Sequence, residues 1–504
     1  MAQEFKTAPE LLEEAGLKSL FDKRDGDRIT TLKKARDCSK MTIPSVLPEE
    51  SFTEQTDLPD TYNSLGARAV NNLSNKLLLG LLPPSSAFFR LRQSPELEDE
   101  LSADGASEDD TELEAQLSKL ETQIMGKIEN SGMRPIVHQA FVNLIVTGNA
   151  ALLFDEGTMH MYKVNAYVVI RDFSGNITDV ILKEKIAYEA LPEDLMGTIE
   201  VTEEERKLDI ELYTRYIRQG SEWLTYQEVK SVIVDGSEQT IKDKHMPLMV
   251  LRWSKINGEH YGRGLVEMHL GDFRSLEGLT QMMLEYSAIA AKVVFGIKPG
   301  SIIEQDELEE VENGGVVIGD LERDVSRLSV DKQADLQIPM QLVEEITRRI
   351  GAAFLLQSTT TRDSERTTAL EIQFLARELE DALGGIYSII AQEFQLPLVN
   401  LLMQDMKFDL GDMIEPTITT GLNALGRTQD LEKLRQLNSL IAEVNPEYVM
   451  KYLNIEEYLV RIGSALGIKD VKSLFISQQE VAQEQQGQTD AGVPNVAPPE
   501  QIQQ

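Results

Sequence analysis

TRDSERTTALEIQFLARELEDALGGIYSIIAQEFQLPLVNLLMQ, residues 361–404, joins a polar, arginine-bearing loop to one very long amphipathic helix. Leu370, Phe374, Leu375, Leu379, Leu383, Ile386, Ile389 and Ile390 recur at three- and four-residue spacing, with Glu371, Arg377, Glu378 and Asp381 largely between them, so one face is buried and the other wet. Gly384-Gly385 interrupts the run at a cost of about 1 kcal/mol per Gly relative to Ala, which predicts a kink or a close backbone contact. Pro397 predicts a second bend. Two readings stand side by side: a core helix beside a surface loop, or a mechanical part rather than a pocket.

Outward from this stretch, 504 residues exceed the roughly 150 of one domain and predict at least two folding units with ample cores. The single cysteine, Cys38, excludes an intrachain disulfide, fits a reducing cytoplasm and reads as a bystander. The N-terminus has no apolar signal core. The most apolar long window, Ile136 to Phe154, carries His138, Gln139, Asn143, Thr147 and Asn149; it reads as a buried helix ended by Gly148-Asn149, short of the roughly 18 apolar residues of a membrane span. A net charge of −35 excludes a conventional sequence-reading DNA binder, which needs a basic face. Solubility of a large protein is the plain account of that acidity.

The pattern predicts an α+β protein. Residues 1–60 read as a helical, then irregular arm, with Pro44, Pro48 and Pro59 ending elements, that wraps a neighbour or the rim of its own core. Residues 61–270 form an α+β domain: a helix from Leu65 to Leu82, a strand-like FFRLR, and from Ala150 to Leu251 short β-branched and aromatic runs that read as antiparallel strands. Ser174-Gly175-Asn176 is a hairpin turn between two of them. The acids between Pro95 and Glu114, with no Lys or Arg among them, read as a solvated loop. Residues 271–296 and 337–356 read as two helices around a turn-rich insert, 297–336, in which VVIGD is the clearest strand. The arginine-bearing loop occupies 357–369 and the kinked helix 370–404; 405–477 reads as short helices and 478–504, Gln-rich with no basic residue, as a disordered tail.

A search for chemistry returns no catalytic residue, metal site or cofactor. No G-x-x-x-x-G-K-[ST] phosphate loop is present, and the Gly262–Gly264 pair speaks only for a turn. His138, His160, His245, His260 and His269 form no H-x-x-x-H pair. A metal-dependent hydrolase built on His260, His269 and Asp272 is a rival reading that lacks any close ligand pattern. Glu378 and Asp381 share a helix face, where solvation or a subunit contact outweighs paired acid–base work.

The wording of the chain carries a resemblance. SERTTALEIQ followed by ARELEDALGGIYSIIAQEFQLPLV resembles the portal, or head-tail connector, family of T7-like short-tailed bacteriophages, as do Tyr167 to Asp194, Tyr261 to Leu276, Glu415 to Leu434 and Ser64 to Leu79, all in one order. The resemblance implies a portal fold: α/β wing, two-helix stem, small α/β clip, tunnel loop, long kinked helix and helical crown. It implies a non-enzymatic subunit of a homo-oligomeric ring, about twelve copies by closed cyclic symmetry, at one capsid vertex of the virion, made in the host bacterial cytoplasm and bound to no membrane. Its partners are double-stranded DNA packaged and ejected through the ring, the terminase large subunit, tail adaptor and tail tube proteins, and the major capsid, scaffolding and internal core proteins. A non-channel head or tail structural protein is the alternative. Under this resemblance the acidity gains a second account, channel walls that repel phosphates.

The resemblance also assigns residues. Arg362 and Arg366, with Thr360 and Ser364, lie in the tunnel loop, and around the ring the two arginines give about twenty-four charges that face phosphates whatever the base sequence. Asp363 and Glu365 partly neutralise them; a structural pairing of either arginine with a neighbour's acid is the other reading. Of Arg348 and Arg349, about 100° apart on a helix, at most one faces the lumen. In the acidic clip, Glu307, Glu309, Glu310, Arg323 and Arg327 are the candidates for docking a basic partner.

Overall fold

The computed structural model describes residues 6–52, 56–84, 87–93, 107–191, 202, 209–290, 294–303, 306, 316, 318–320, 323, 325–328, 333–356, 379, 382–406 and 414–418. The N-terminal arm is helical: α1 (Ala8–Glu14), α2 (Leu17–Asp27) and α3 (Ile29–Met41). Thr7 and Glu10 begin it with a capping box, the Thr7 N–H donating to the Glu10 carboxylate at 2.9 Å. Of the two roles open to the arm, the described residues show the rim of its own core. Ala8, Leu11, Leu17 and Phe21 pack on Val168, Ile181, Tyr213 and Tyr226 of a sheet. Cys38 is buried in the main core, and burial pushes its thiol up to about 12.

α4 (Leu65–Leu81) buries Ala69, Val70, Leu73, Leu77 and Leu81 as its period requires. β1 (Phe89–Gln93) is the strand read from FFRLR. Of the acidic run read as a loop, residues 95–106 lie outside the described residues; from Ser107 on the structure departs from that reading, because α5 (Ser107–Asn130) takes in Glu108, Asp109, Asp110, Glu112 and Glu114. Acids in a first turn face the positive end of the helix dipole, so charge that looks like a loop signal is a helix-start signal here. α6 (Met133–Thr147) then ends at Gly148, as the buried helix read from the sequence does, and β2 (Asn149–Asp155) starts at once.

Gly148 fixes that corner. Its φ is +81°, and a β-carbon there would meet the Gly264 nitrogen at 2.4 Å and the Gly262 oxygen at 2.6 Å. Asn149 closes the contact: its amide donates to the Gly262 carbonyl and its side-chain oxygen accepts the Gly262 N–H, both at 2.8 Å. The Gly262–Gly264 pair is therefore a close backbone approach rather than only a turn.

β2, β3 (Thr158–Tyr162) and β10 (Leu248–Arg252) make a three-stranded sheet in the order β10-β2-β3. β4 (Tyr167–Arg171), β5 (Ile177–Ile186), β6 (Ile210–Gln219), β7 (Glu222–Val229) and β8 (Val232–Ile233) follow in order in a second antiparallel sheet, with β9 (Gln239–Lys242) also paired to β7. The β4–β5 turn is the one read from Ser174-Gly175-Asn176. Gly175 has φ +89°, and Asp172 accepts the Asn176 N–H at 2.8 Å.

α7 (Leu265–Met268) leads into α8 (Leu270–Ala290), which ends before the expected 296 because β11 (Val294–Ile297) pairs with β12 (Val325–Leu328). These two are the insert's described strands; Val316 and Ile318 of VVIGD lie outside any strand and are exposed. α9 (Gln333–Ala353) starts inside the range expected for the insert and runs through Pro339. Its neighbours Ile338 and Met340 are exposed, so the bond that Pro339 cannot make falls on a solvent-facing turn.

The described part of the kinked helix, residues 382–405, is long and apolar enough to cross a membrane, but Leu383, Tyr387, Ile390, Phe394, Leu398 and Leu402 lie in the main core. Gly384 takes φ +29°, and a β-carbon there would meet nothing among the described residues, so the backbone turn outweighs close contact as the reason for that glycine. The second bend is a π turn, Ala391–Gln395, just before α10 (Leu396–Asp405). Pro397 supplies no N–H and its ring crowds the carbonyl four residues back, and a widened turn relieves both. Within the range expected to be helical, β13 (Ile414–Ile418) pairs with β1, with Pro416 opposite Leu91 in a two-stranded sheet where a missing donor is tolerated.

Candidate functional site

Two long helices and the turn that leaves them make the candidate site. α8 and α9 pack side by side, and Arg349 Nη2 meets Asp272 Oδ1 at 2.8 Å across them. At their base Phe273, Leu276, Ile346, Ile350 and Phe354 enter the main core, with Phe273 and Phe354 edge to face at 5.7 Å. Away from the base the apolar residues face outward: Met282, Leu284 and Ile289 on α8, Ile338, Met340 and Leu342 on α9, and Ile302, Val316 and Ile318 between them. With Met268, ten of the thirteen large apolar side chains exposed among the described residues lie between 268 and 342.

α9 ends in a left-handed turn. The Leu356 N–H donates to Gly351 O at 2.8 Å and the Leu355 N–H to Ala352 O at 3.3 Å, the Schellman pattern, but Leu355 stands where Gly is usual, with φ +55°. α4 holds this turn from the side. Asn72 Nδ2 donates to Phe354 O and Leu355 O at 3.2 and 3.1 Å, and Lys76 Nζ donates to Leu355 O at 2.8 Å. The far end of α4 receives the helix on the other side of the arginine-bearing segment: Gly80 O accepts the Tyr387 hydroxyl at 2.9 Å, and Leu81 O accepts Gln395 Nε2 at 2.7 Å.

A buried ion cluster ties the π turn to the sheets. The Glu393 carboxylate accepts the backbone N–H of Arg252 at 2.9 Å and its Nε and Nη2 at 3.0 and 2.5 Å, with Arg171 Nη1 at 3.5 Å. Both guanidinium groups also bond Gly175 O of the β4–β5 turn. Burial pulls Arg171 down to about 10 against the opposing pull of Glu393, and the like charge of Arg252 adds to the fall.

Of the residues singled out from sequence, Arg348 and Arg349 are both exposed, and Arg349 is paired with Asp272. Arg323 is exposed beside Asp320, whose carbonyl accepts its N–H at 3.2 Å; Arg327 sits in β12 opposite Phe295. Thr360, Arg362, Ser364, Arg366, Glu307, Glu309 and Glu310 lie outside the described residues. His260, His269 and Asp272 have separate engagements: His260 Nδ1 accepts the Arg171 N–H at 3.0 Å, His269 packs edge-on to Phe354, and Asp272 takes Arg349. Burial, Arg171 and Arg24 all lower the His260 pKa. Among the described residues no three His, Cys, Asp or Glu side chains converge as metal ligands.

Sequence reasoning passed over Lys76, Asn72 and the Arg171–Arg252–Glu393 cluster. Lys76 had a signal: it lies three residues after Leu73 and seven after Ala69, on the buried stripe of α4. The cluster had none, because its members are far apart in the chain.

The model of the bacteriophage head to tail connecting protein family matches residues 14–471. The chain belongs to that family. It is 37% identical to the portal protein of Enterobacteria phage T3, over 96% of this chain and 93% of that one. To the portal protein of Escherichia phage T7 it is 36% identical, over 94% and 90%. Against the portal protein of Enterobacteria phage SP6 the figure is 31%, over 95% of each. The resemblance read from the sequence is thus to the right family, and it extends along nearly the whole connector chain.

Proposed function

We propose that copies of this chain close into a ring, about twelve by cyclic symmetry, around a channel at one vertex of a phage capsid, through which double-stranded DNA is packaged and later ejected. The chain has no catalytic part in this reading; its work is mechanical. Residues 61–270 are the wing, α8 and α9 the stem, the segment between them the clip, 357–369 the tunnel loop, 370–404 the kinked helix and 405–477 the crown. The clip docks the terminase large subunit during packaging and tail adaptor and tail tube proteins afterwards; the other contacts are to major capsid, scaffolding and internal core proteins. The assembly resides at the portal vertex of the virion after synthesis in the host cytoplasm.

The observation that carries the reading is the apolar exposure of the α8–α9 projection in a chain whose net charge is −35. Charge of that size keeps copies apart unless a specific apolar surface draws them together, and a head-to-tail ring needs two complementary faces per subunit. Light scattering on the purified chain tests it: a mass near a dozen subunits is expected, and a monomer at high concentration overturns it. In such rings Arg362→Ala with Arg366→Ala leaves assembly intact and lowers packaging efficiency; unchanged packaging makes those arginines structural.

A further inference from the structure

The most exposed large apolar side chain among the described residues is Phe173, 86% exposed at the tip of the β4–β5 turn. Single apolar residues on a surface are ordinary. This one stands on a turn that is locked from within and from below. The Asp172 carboxylate accepts the Asn176 backbone N–H and Nδ2 at 2.8 and 3.0 Å, and Gly175 N–H donates to Asp172 O at 3.0 Å. From below, Arg171 Nη1 and Arg252 Nη2 donate to Gly175 O at 3.1 and 3.3 Å, and Glu393 holds both arginines. An aromatic side chain presented in this way has little backbone freedom to lose on binding, and burying it is worth roughly ten- to a hundredfold in an equilibrium constant.

The ground beside Phe173 is cationic. Arg252 is 3% exposed, yet its Nη1 has no hydrogen-bond partner among the described residues. A β-carbon on Gly175 would meet that Nη1 at 3.4 Å and Lys255 Nζ at 3.3 Å, so the buried guanidinium and the exposed Lys255 flank one point at the foot of the turn. Arg171, Arg252 and Lys255 bring three positive charges against two negative ones, Glu393 and Asp172, and both carboxylates are already engaged within the turn and its base. A buried donor left unpaired is costly, and an incoming carboxylate supplies the acceptor it lacks.

We propose that Phe173, Lys255 and Arg252 form a docking surface for a second copy of this chain: the Phe173 side chain makes an apolar contact with the neighbour, and a carboxylate of the neighbour meets the two cations. Charge decides the occupant. Each copy carries 84 acidic against 49 basic side chains, so an identical neighbour offers carboxylates in excess, whereas a net charge of −35 repels DNA. The inference rests on the ring reading given above and adds to it a face distinct from the α8–α9 projection, as head-to-tail closure requires.

The test uses the full-length chain with p-benzoylphenylalanine in place of Phe173, irradiated at concentrations where light scattering reports assembly. Cross-links between two copies are expected, mapped by mass spectrometry to a peptide of the second copy. Phe173→Ala and Lys255→Glu change exposed side chains and keep the fold; each should raise the concentration for half-assembly at least about tenfold. A charge role orders the variants at 255, with Lys255→Arg near wild type, Lys255→Gln weaker and Lys255→Glu weakest; equal effects of Gln and Glu overturn the cationic seat. Rings that form at the wild-type concentration in both variants, without cross-links between copies, overturn the inference and leave the ring reading standing. A wild-type chain that forms no rings overturns the ring reading; cross-linked pairs of copies would then still support the docking surface, and their absence would remove it too. A cross-link to added duplex DNA in place of a second copy assigns the turn to nucleic acid and overturns the inference.

Discussion

Glu393→Ala separates the kinked helix from the sheets, and the size of the effect follows from the contacts. The carboxylate serves three N–H groups of Arg252 at 2.5 to 3.0 Å and lies 3.5 Å from Arg171. The two arginines are 4% and 3% exposed, so its removal leaves two like charges facing each other out of water. Breaking a buried pair in this way costs roughly 3–5 kcal/mol. Glu393 itself keeps 18% exposure, so water can enter and the lower end applies, about 3 kcal/mol. At 1.4 kcal/mol per factor of ten, local opening becomes about 10²-fold more frequent. Hydrogen exchange is the assay, since a chain of this size does not unfold in two states. The amides of Arg252, of the π turn and of the β4–β5 turn are expected to exchange about 10²-fold faster, while β6 and β7 keep their protection. Exchange unchanged at all three places would show that the cluster does not hold the helix to the sheets.

Gly148→Ala should be among the most damaging single substitutions, lowering stability by about 3 kcal/mol or more, because the new β-carbon meets backbone at 2.4 Å in a left-handed conformation; a melting temperature equal to wild type refutes the close-packed corner. Arg349→Ala, which removes a pair with side chains 51% and 27% exposed, should change stability by under about 1 kcal/mol; a larger loss in denaturant titration would mean that the pair sets the α8–α9 spacing. Glu211 is pushed up by burial, but hydrogen bonds from Lys183, Tyr213 and Lys18 outweigh this and bring it down to about 2. Its folded value lies below its unfolded value, so its stabilisation is present above pH 4.5 and is lost as the pH falls toward 2. Exchange at α2 should rise across that window and Glu211→Gln should flatten the rise; an acid response identical in the variant assigns the loss to other carboxylates.

Much of the architecture could be read from residues alone because local signals agreed with the packing. The stripe of α4, the Gly148 stop, the β4–β5 turn and the alternating strands each follow from a period or a backbone requirement set within a few residues. The readings that departed from the structure share another cause. β11 pairs with β12 some thirty residues away and β13 with β1 more than three hundred away, and no local pattern specifies such a partner. VVIGD has stronger strand composition than either strand of the insert, yet its described residues Val316 and Ile318 lie outside any strand. Charge misled at α5, where acids mark a helix start. At the candidate site, the apolar residues of α8 and α9 were legible as helix positions, but only the fold shows that they face outward. The strain at Leu355 was hidden because φ is not written in a side chain.

A ring of identical subunits around a hole is visible directly. Electron micrographs of the purified chain, averaged in projection down the symmetry axis, test it most directly. Closed annuli with an axial opening wide enough for a DNA duplex are expected; solid particles without an opening, or single subunits throughout, would rule the ring out.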